Sequence, residues 1–283
     1  MEKITLVECP RDAMQGWPHF IPTATKITYL NQLLRVGFDV LDFGSFVNPK
    51  AIPQMADTKE VLAGLDMGHS RTKLLAIVAN TRGAEEAVPY EAIHYLGFPF
   101  SISETFQQLN TNKSIAESLV QVAAIQELCE RHNKELVLYI SMGFGNPYGD
   151  EYSAEVALDW FDKLQALGIK TIALADTVGV AKPETIAYIY RQLVPAFPEV
   201  NIGAHFHSTA DTWLGKIEAA YQNGCRRFDS SIRGIGGCPM AKNELVGNIA
   251  TENLLAWANG TAPQIDKEAL MVAMEMANRV FAV

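Results

Sequence analysis

Two histidines separated by one residue end the run Asn201-Ile-Gly-Ala-His-Phe-His207. Strand side chains alternate between faces, so Gly203, His205 and His207 share one side and Ile202, Ala204 and Phe206 the other. Both imidazoles then point the same way, which suits a chelating pair for a divalent ion. A pair of hydrogen-bonded packing histidines is the competing reading of the same spacing. Two further stretches favour the metal. Glu8-Cys-Pro-Arg-Asp12 follows another apolar run and delivers a carboxylate next to Arg11, a cation suited to neutralising an oxyanion. Gly234-Ile-Gly-Gly-Cys-Pro239 follows a third run and provides glycine-rich backbone to hang over the same region.

The elements that must position these residues follow a regular rhythm. Short apolar runs rich in β-branched residues predict strands at 4–10, 39–45, 73–80, 92–99, 135–142, 171–176, 201–207 and 226–232, each followed by a segment of helical period. Eight such units predict an α/β fold, a closed (β/α)8 TIM barrel, with catalytic groups at the carboxyl ends of its strands. Ser114 and Glu117 form a capping box before the helix at 115–129. Pro183 suits a first helical turn, and Ile186, Ile189, Tyr190 and Leu193 then line one face. Gly224 closes the stripe Trp213, Ile217, Ala220 and Tyr221. Residues 266–283 predict an extra C-terminal helix whose Leu270, Val272, Ala273, Met276 and Val280 cover the barrel or a subunit partner. No linker-like tract interrupts the chain, so residues 1–283 are expected to form a single catalytic domain.

Composition narrows the partners. The chain has 283 residues, 48% of them hydrophobic, and 23 Lys+Arg against 32 Asp+Glu, a net charge of -9. That length supports a large core without staples, and the acidic balance argues against nucleic acid or an anionic membrane as partner. Cys9, Cys129, Cys225 and Cys238 show neither disulfide nor zinc spacing, and no run is long enough for a signal peptide or a bilayer span. A cytoplasmic enzyme is expected, with a homodimer as the prior for its assembly. Cys9, Cys129 and Cys225 read as small buried hydrophobes, and His19, His69, His94 and His132 as structural.

An ordered set of motifs goes further: Pro10-Arg-Asp12 with Gln15, Ser45-Phe-Val-Asn-Pro-Lys50 with Pro53-Gln-Met55, Asp176-Thr-Val-Gly179, His205-Phe-His207, Gly234-Ile-Gly-Gly-Cys-Pro239 and Gly247-Asn-Ile-Ala-Thr-Glu252. With them the chain resembles the 3-hydroxy-3-methylglutaryl-CoA lyase family, within the metal-dependent barrel lyases and condensing enzymes, over roughly residues 4–260. The resemblance implies a divalent ion, Mg or Mn, held by Asp12, His205, His207 and Asn248. It implies retro-aldol cleavage of a 3-hydroxy-acyl-CoA, here hydroxymethylglutaryl-CoA to acetyl-CoA and acetoacetate. Arg11 is then the partner of the enolate charge, and Cys238 the thiol that protonates the new acetyl carbon. Asp42, Asp176 and His205 are assigned collectively to the base and its network, and Gln15 and Thr177 to substrate binding.

Departures from the family pattern fall close to the site. Ala13 stands for the usual Gly, Gly16-Trp17 for Asn-Glu, Asp42 for Glu and Ser208 for Asp. They leave the metal ligands intact and bear on substrate recognition. The alternatives are therefore another acyl-CoA, a related condensing enzyme, a 4-hydroxy-2-oxo acid aldolase, or a catalytically silent barrel that binds a small ligand or serves in an assembly.

Overall fold

The strands pair in parallel, each with its sequence neighbours, in a computed structural model that describes residues 2–237 and 246–282. They are β1 (Thr5–Glu8), β2 (Val40–Ser45), β3 (Lys73–Ile77), β4 (Ile93–Ser101), β5 (Glu135–Ser141), β6 (Thr171–Asp176), β7 (Asn201–Ser208) and β8 (Arg227–Ser230). Pairing of β8 back onto β1, from Thr5 opposite Arg227 to Glu8 opposite Ser230, closes the sheet into the expected (β/α)8 barrel. A ninth short strand, β9 (Gly247–Asn248), runs antiparallel to the end of β7 and sets Asn248 opposite His207.

Alternation along each strand divides the apolar residues into two layers. Val7, Cys9, Val40, Leu75, Ile77 and Tyr139 belong to a small cluster inside the barrel. Ile202, Ala204 and Phe206 belong to the larger cluster under the helices, which leaves His205 and His207 directed inward. Cys9, Cys129 and Cys225 are free and buried, as small hydrophobes would be. Among the described residues, no helix is long and apolar enough to cross a membrane.

The helix signals hold in detail. Ser114 and Glu117 form a complete capping box, and that helix runs Ile115–Arg131. Pro183 opens the helix Pro183–Ala196, whose Ile186, Ile189, Tyr190 and Leu193 are buried. Gly224, with φ +100, turns the chain after the helix Trp213–Gln222 toward β8.

Several strand boundaries differ from the sequence expectation, and two of them bear on the site. The first strand stops at Glu8 because Pro10 lacks an N–H for the ladder and instead occupies the first turn of a short helix, Pro10–Gln15. Arg11 and Asp12 thus sit on a helical turn above the barrel rather than on the strand. The eighth strand stops at Ser230, where Ile232–Gly234 tighten into a 3₁₀ turn with Arg233 left-handed at φ 62.

The C-terminal helix, Lys267–Val280, packs on the helix Thr23–Val36. Its buried face is Ala269, Ala273 and Ala277, small enough for close approach, while Met271 and Val272 are 64% and 46% exposed. The apolar positions expected to cover the barrel are thus shared between two faces. Phe281 anchors the end of this segment edge-on against Trp17 and Tyr29.

Candidate active site and metal centre

Three side chains from distant parts of the chain meet above the barrel. Single donor atoms of Asp12, His205 and His207 all lie within 4.8 Å of one another. Hydrogen bonds fix which imidazole nitrogens remain available. Nδ1 of His205 is 3.1 Å from the Asp229 carboxylate, and Nδ1 of His207 is 2.9 Å from the carbonyl oxygen of Thr177. A carboxylate oxygen and a carbonyl accept, so Nδ1 is the donor in both contacts, and in the neutral imidazole it is Nε2 that keeps a lone pair. Nε2 of His207 is buried and has no hydrogen-bond partner. A buried acceptor left without a partner is costly in a protein interior. A cation beside Asp12 would satisfy it, so the donor set fits a divalent ion.

Asn248 lies beside this group. Its amide nitrogen donates to Asp12 at 2.7 Å and to the carbonyl of Ile235 at 3.0 Å, placing the side chain beside the carboxylate from the β9 position opposite His207. Its amide oxygen is the atom it offers a hard cation. The glycine-rich segment reaches the same point: a Cβ on Gly236, whose φ is +110, would fall 2.5 Å from the Asn248 amide nitrogen and 3.1 Å from Ala13. Only glycine lets the backbone pass there. Cys238 lies outside the described residues.

The electrostatics suit a cation. Burial disfavours the Asp12 charge, but Arg11 and the two imidazoles outweigh it and hold its carboxyl down at about 2. Burial also works against the His205 charge, yet the hydrogen bond and charge of Asp229 raise its proton affinity. His207 is pushed the other way, by burial and then by His205, toward the neutral imidazole that a metal needs.

Arg11 is clamped. Its Nε and Nη2 donate to Asp42, the shortest contact being 2.6 Å, while Nη1 donates to Asp12 at 3.2 Å and to Gln15 at 2.8 Å. Asp42 is 1% exposed, and burial lifts its carboxyl to about 6 even though Arg11 pulls it down. The guanidinium stays charged between two carboxylates, which also hold it in place. Arg11, Asp12, Gln15 and Asp42 therefore form one connected group.

Asp176 and Thr177 stand differently. Asp176 accepts from the backbone N–H groups of Val180 and Ala181 and from Lys216, and does not join the ligand group. Thr177 uses its hydroxyl oxygen to accept from the Met142 N–H and its carbonyl to hold His207. Their visible effect is to fix the loop that orients one imidazole. Of the departures from the family pattern, Gly16 only caps the short helix and Trp17 packs on Phe281, whereas Ser208 is buried and pairs with Gly247 of β9.

Sequence reasoning missed several buried polar residues. Lys216, 1% exposed, donates to Asp176, to the carbonyl of Gly179 and to the carbonyl of His207. Glu8 accepts from the Ile232 N–H and pairs with the Thr251 hydroxyl, and burial lifts its carboxyl to about 8. Arg227 and Asp229 form an ion pair inside the barrel behind His205. The alternation that exposed the histidine pair would have found this last pair too, since Phe228 separates the two.

The chain is similar to known proteins over most of its length. The profile of the HMGL-like family matches residues 4–277. A hydroxymethylglutaryl-CoA lyase of Bacillus subtilis is 36% identical over 255 residues, 90% of this chain and 84% of that protein. An (R)-citramalyl-CoA lyase of Chloroflexus aurantiacus is 33% identical over 287 residues, 97% of this chain and 90% of that one. Among solved structures, an HMG-CoA lyase from Acinetobacter baumannii in complex with coenzyme A and 3-methylmalate superposes with a TM-score of 0.90 at 31% identity, covering 99% of this chain and 91% of that one. The matching profile, the extent of these likenesses and the barrel with its donor group lead to one assignment: the chain belongs to the HMGL-like family and is a carbon–carbon lyase.

Proposed function

We propose that the protein cleaves a 3-hydroxy-acyl-CoA by a metal-dependent retro-aldol reaction, with hydroxymethylglutaryl-CoA as the first substrate to test. The observation that carries this reading is the meeting of Asp12, His205 and His207 around a buried imidazole nitrogen without a partner, with the Arg11–Asp42 pair alongside. A divalent ion, Mg or Mn, held by Asp12, His205, His207 and the amide oxygen of Asn248 would supply Lewis acidity that lowers the pKa of the substrate hydroxyl.

The chain's own residues then have distinct tasks. The tertiary hydroxyl loses its proton, the bond between C2 and C3 breaks, and its electron pair passes to the carbon next to the thioester. Arg11, permanently charged and locked by Asp42, faces that developing enolate charge without having to reorganise. Asp42, lifted to about 6, has a proton affinity close to neutrality and belongs to the group that accepts the hydroxyl proton, with His205. Gln15, held by Arg11, contributes a polar contact to the substrate. Thr177 and Asp176 keep His207 oriented through the backbone of their loop. Protonation of the acetyl carbon, assigned to the Cys238 thiol by its place in the motif, completes acetyl-CoA and leaves a ketone as the other product.

A second substrate is favoured by one observation, the likeness to a citramalyl-CoA lyase along nearly the whole chain. Both acids carry a tertiary hydroxyl and break the same type of bond. Incubation with Mg or Mn and hydroxymethylglutaryl-CoA is expected to release acetyl-CoA and acetoacetate. Silence there with pyruvate release from citramalyl-CoA would move the assignment to the second substrate, and silence with both would overturn the reading.

A further inference from the structure

His205 takes part in two overlapping groups of donor atoms. One joins it to Asp12 and His207, and the other joins it to Cys9 and Asp229 deeper in the barrel. An imidazole can serve both only if something fixes which nitrogen faces which way.

Arg227 and Asp229 stand on β8 with side chains 2% and 1% exposed. Arg227 Nη1 donates to Asp229 Oδ1 at 2.7 Å, and Asp229 Oδ2 takes the Nδ1–H of His205 at 3.1 Å. Each carboxylate oxygen is thereby committed to a different partner. A guanidinium is an expensive occupant for a barrel interior, where a well-packed apolar side chain is often no less stable. The barrel nevertheless makes room for it. Gly203 lies opposite Arg227 in the β7–β8 pairing, and a Cβ there would sit 3.2 Å from Arg227 Cδ and 3.2 Å from Ala173 Cβ. A missing side chain on one strand thus accommodates the long one on the next.

We infer that Arg227 is a positioning residue that, through Asp229, holds Nδ1 of His205 as a donor, leaves Nε2 facing Asp12 and His207, and so determines which of the two donor groups takes the ion. A cation on the Cys9 side would lie against the guanidinium that already neutralises Asp229. On the Asp12 side it meets the Asp12 carboxylate and the Nε2 of His207, which is buried without a hydrogen-bond partner. The inference rests on the reading of Asp12, His205 and His207 as a cation site, and the test separates the two.

Mn(II) affinity is measured directly, by the loss of the free-ion electron paramagnetic resonance signal, for the full-length wild type, Arg227→Met and the double variant Arg227→Met/Asp229→Asn, alongside thermal melting without metal. The double variant removes both charges of the pair and leaves a neutral amide that can face His205 with either its oxygen or its nitrogen, so it stays informative if the single variant unfolds. The expected result is Mn(II) binding by the wild type and roughly 10–100-fold weaker binding by the double variant at a melting temperature close to wild type. Wild-type affinity in folded Arg227→Met or in the double variant would overturn the positioning role alone. Absence of Mn(II) binding by the wild type would overturn both readings, with the cation site identified as the one at fault.

Discussion

The ammonium of Lys216 lies 2.6 Å from the carboxylate of Asp176, and the same nitrogen donates to the carbonyl of His207 at 2.8 Å. One buried cation from the helix Trp213–Gln222 therefore ties the loop after β6 to the strand that carries both imidazoles. Asp176 in turn holds the loop whose Thr177 carbonyl orients His207.

Lys216→Met should be strongly destabilising, because it leaves the Asp176 charge buried and two carbonyls without their donor. Breaking such a pair costs about 3–5 kcal/mol. Urea unfolding is expected to show a loss of that size, with a smaller loss when Asp176→Asn is added, since the variant carboxamide carries no charge. A loss below about 1 kcal/mol would place this pair with weak surface contacts.

Glu8 gives a pH signature of stability. Burial raises its carboxyl from the ordinary 4.5 to about 8, so the fold favours the protonated form. Its contribution is complete below about pH 4.5 and is lost as pH rises through the window to about 8. Glu8→Gln keeps a neutral group that can still accept from Ile232 and donate to Thr251. The melting temperature of the variant, taken relative to wild type, should climb across that window, and a constant difference would contradict the assignment.

Asp42 should appear in the activity profile. With its carboxyl at about 6 it is ionised above that pH, where it clamps Arg11, and protonated below, where the clamp opens. The ratio kcat/KM is expected to fall as pH drops through about 6. Asp42→Asn should be slow at all pH, by roughly 100-fold or more, with that acid limb lost, while Asp42→Glu retains a limb. A limb unchanged in Asp42→Asn would assign it to another group.

Much of this was legible in the sequence, for identifiable reasons. The barrel follows from eight repeats of strand and helix, and the inward pair of imidazoles from a spacing that period two resolves without ambiguity. Asp12 was placed at the right end of the barrel but on the wrong element, because Pro10 reads equally as an end to a strand or a start to a helix. The support behind the ligands was not seen. Lys216 and Glu8 belong to patterns that look like a solvated helix and a strand terminus, and only packing shows that each is enclosed by polar partners. The inward direction of Arg227 was readable from its alternation with Phe228 and Asp229, but the glycine on the neighbouring strand that makes room for a guanidinium shows only in the packing. The two faces of the C-terminal helix were misjudged because alanines, the least conspicuous apolar residues, make its buried side.

Asp12, His205 and His207 bring donor atoms within reach of one cation at the top of the barrel. Metal content settles whether they hold it, measured after the purified wild type, Asp12→Asn and His207→Ala are loaded with Mn(II) and the excess is removed. About one ion per chain is expected in the wild type, with strongly reduced content in both variants. Equal metal in all three proteins would rule the ligand set out.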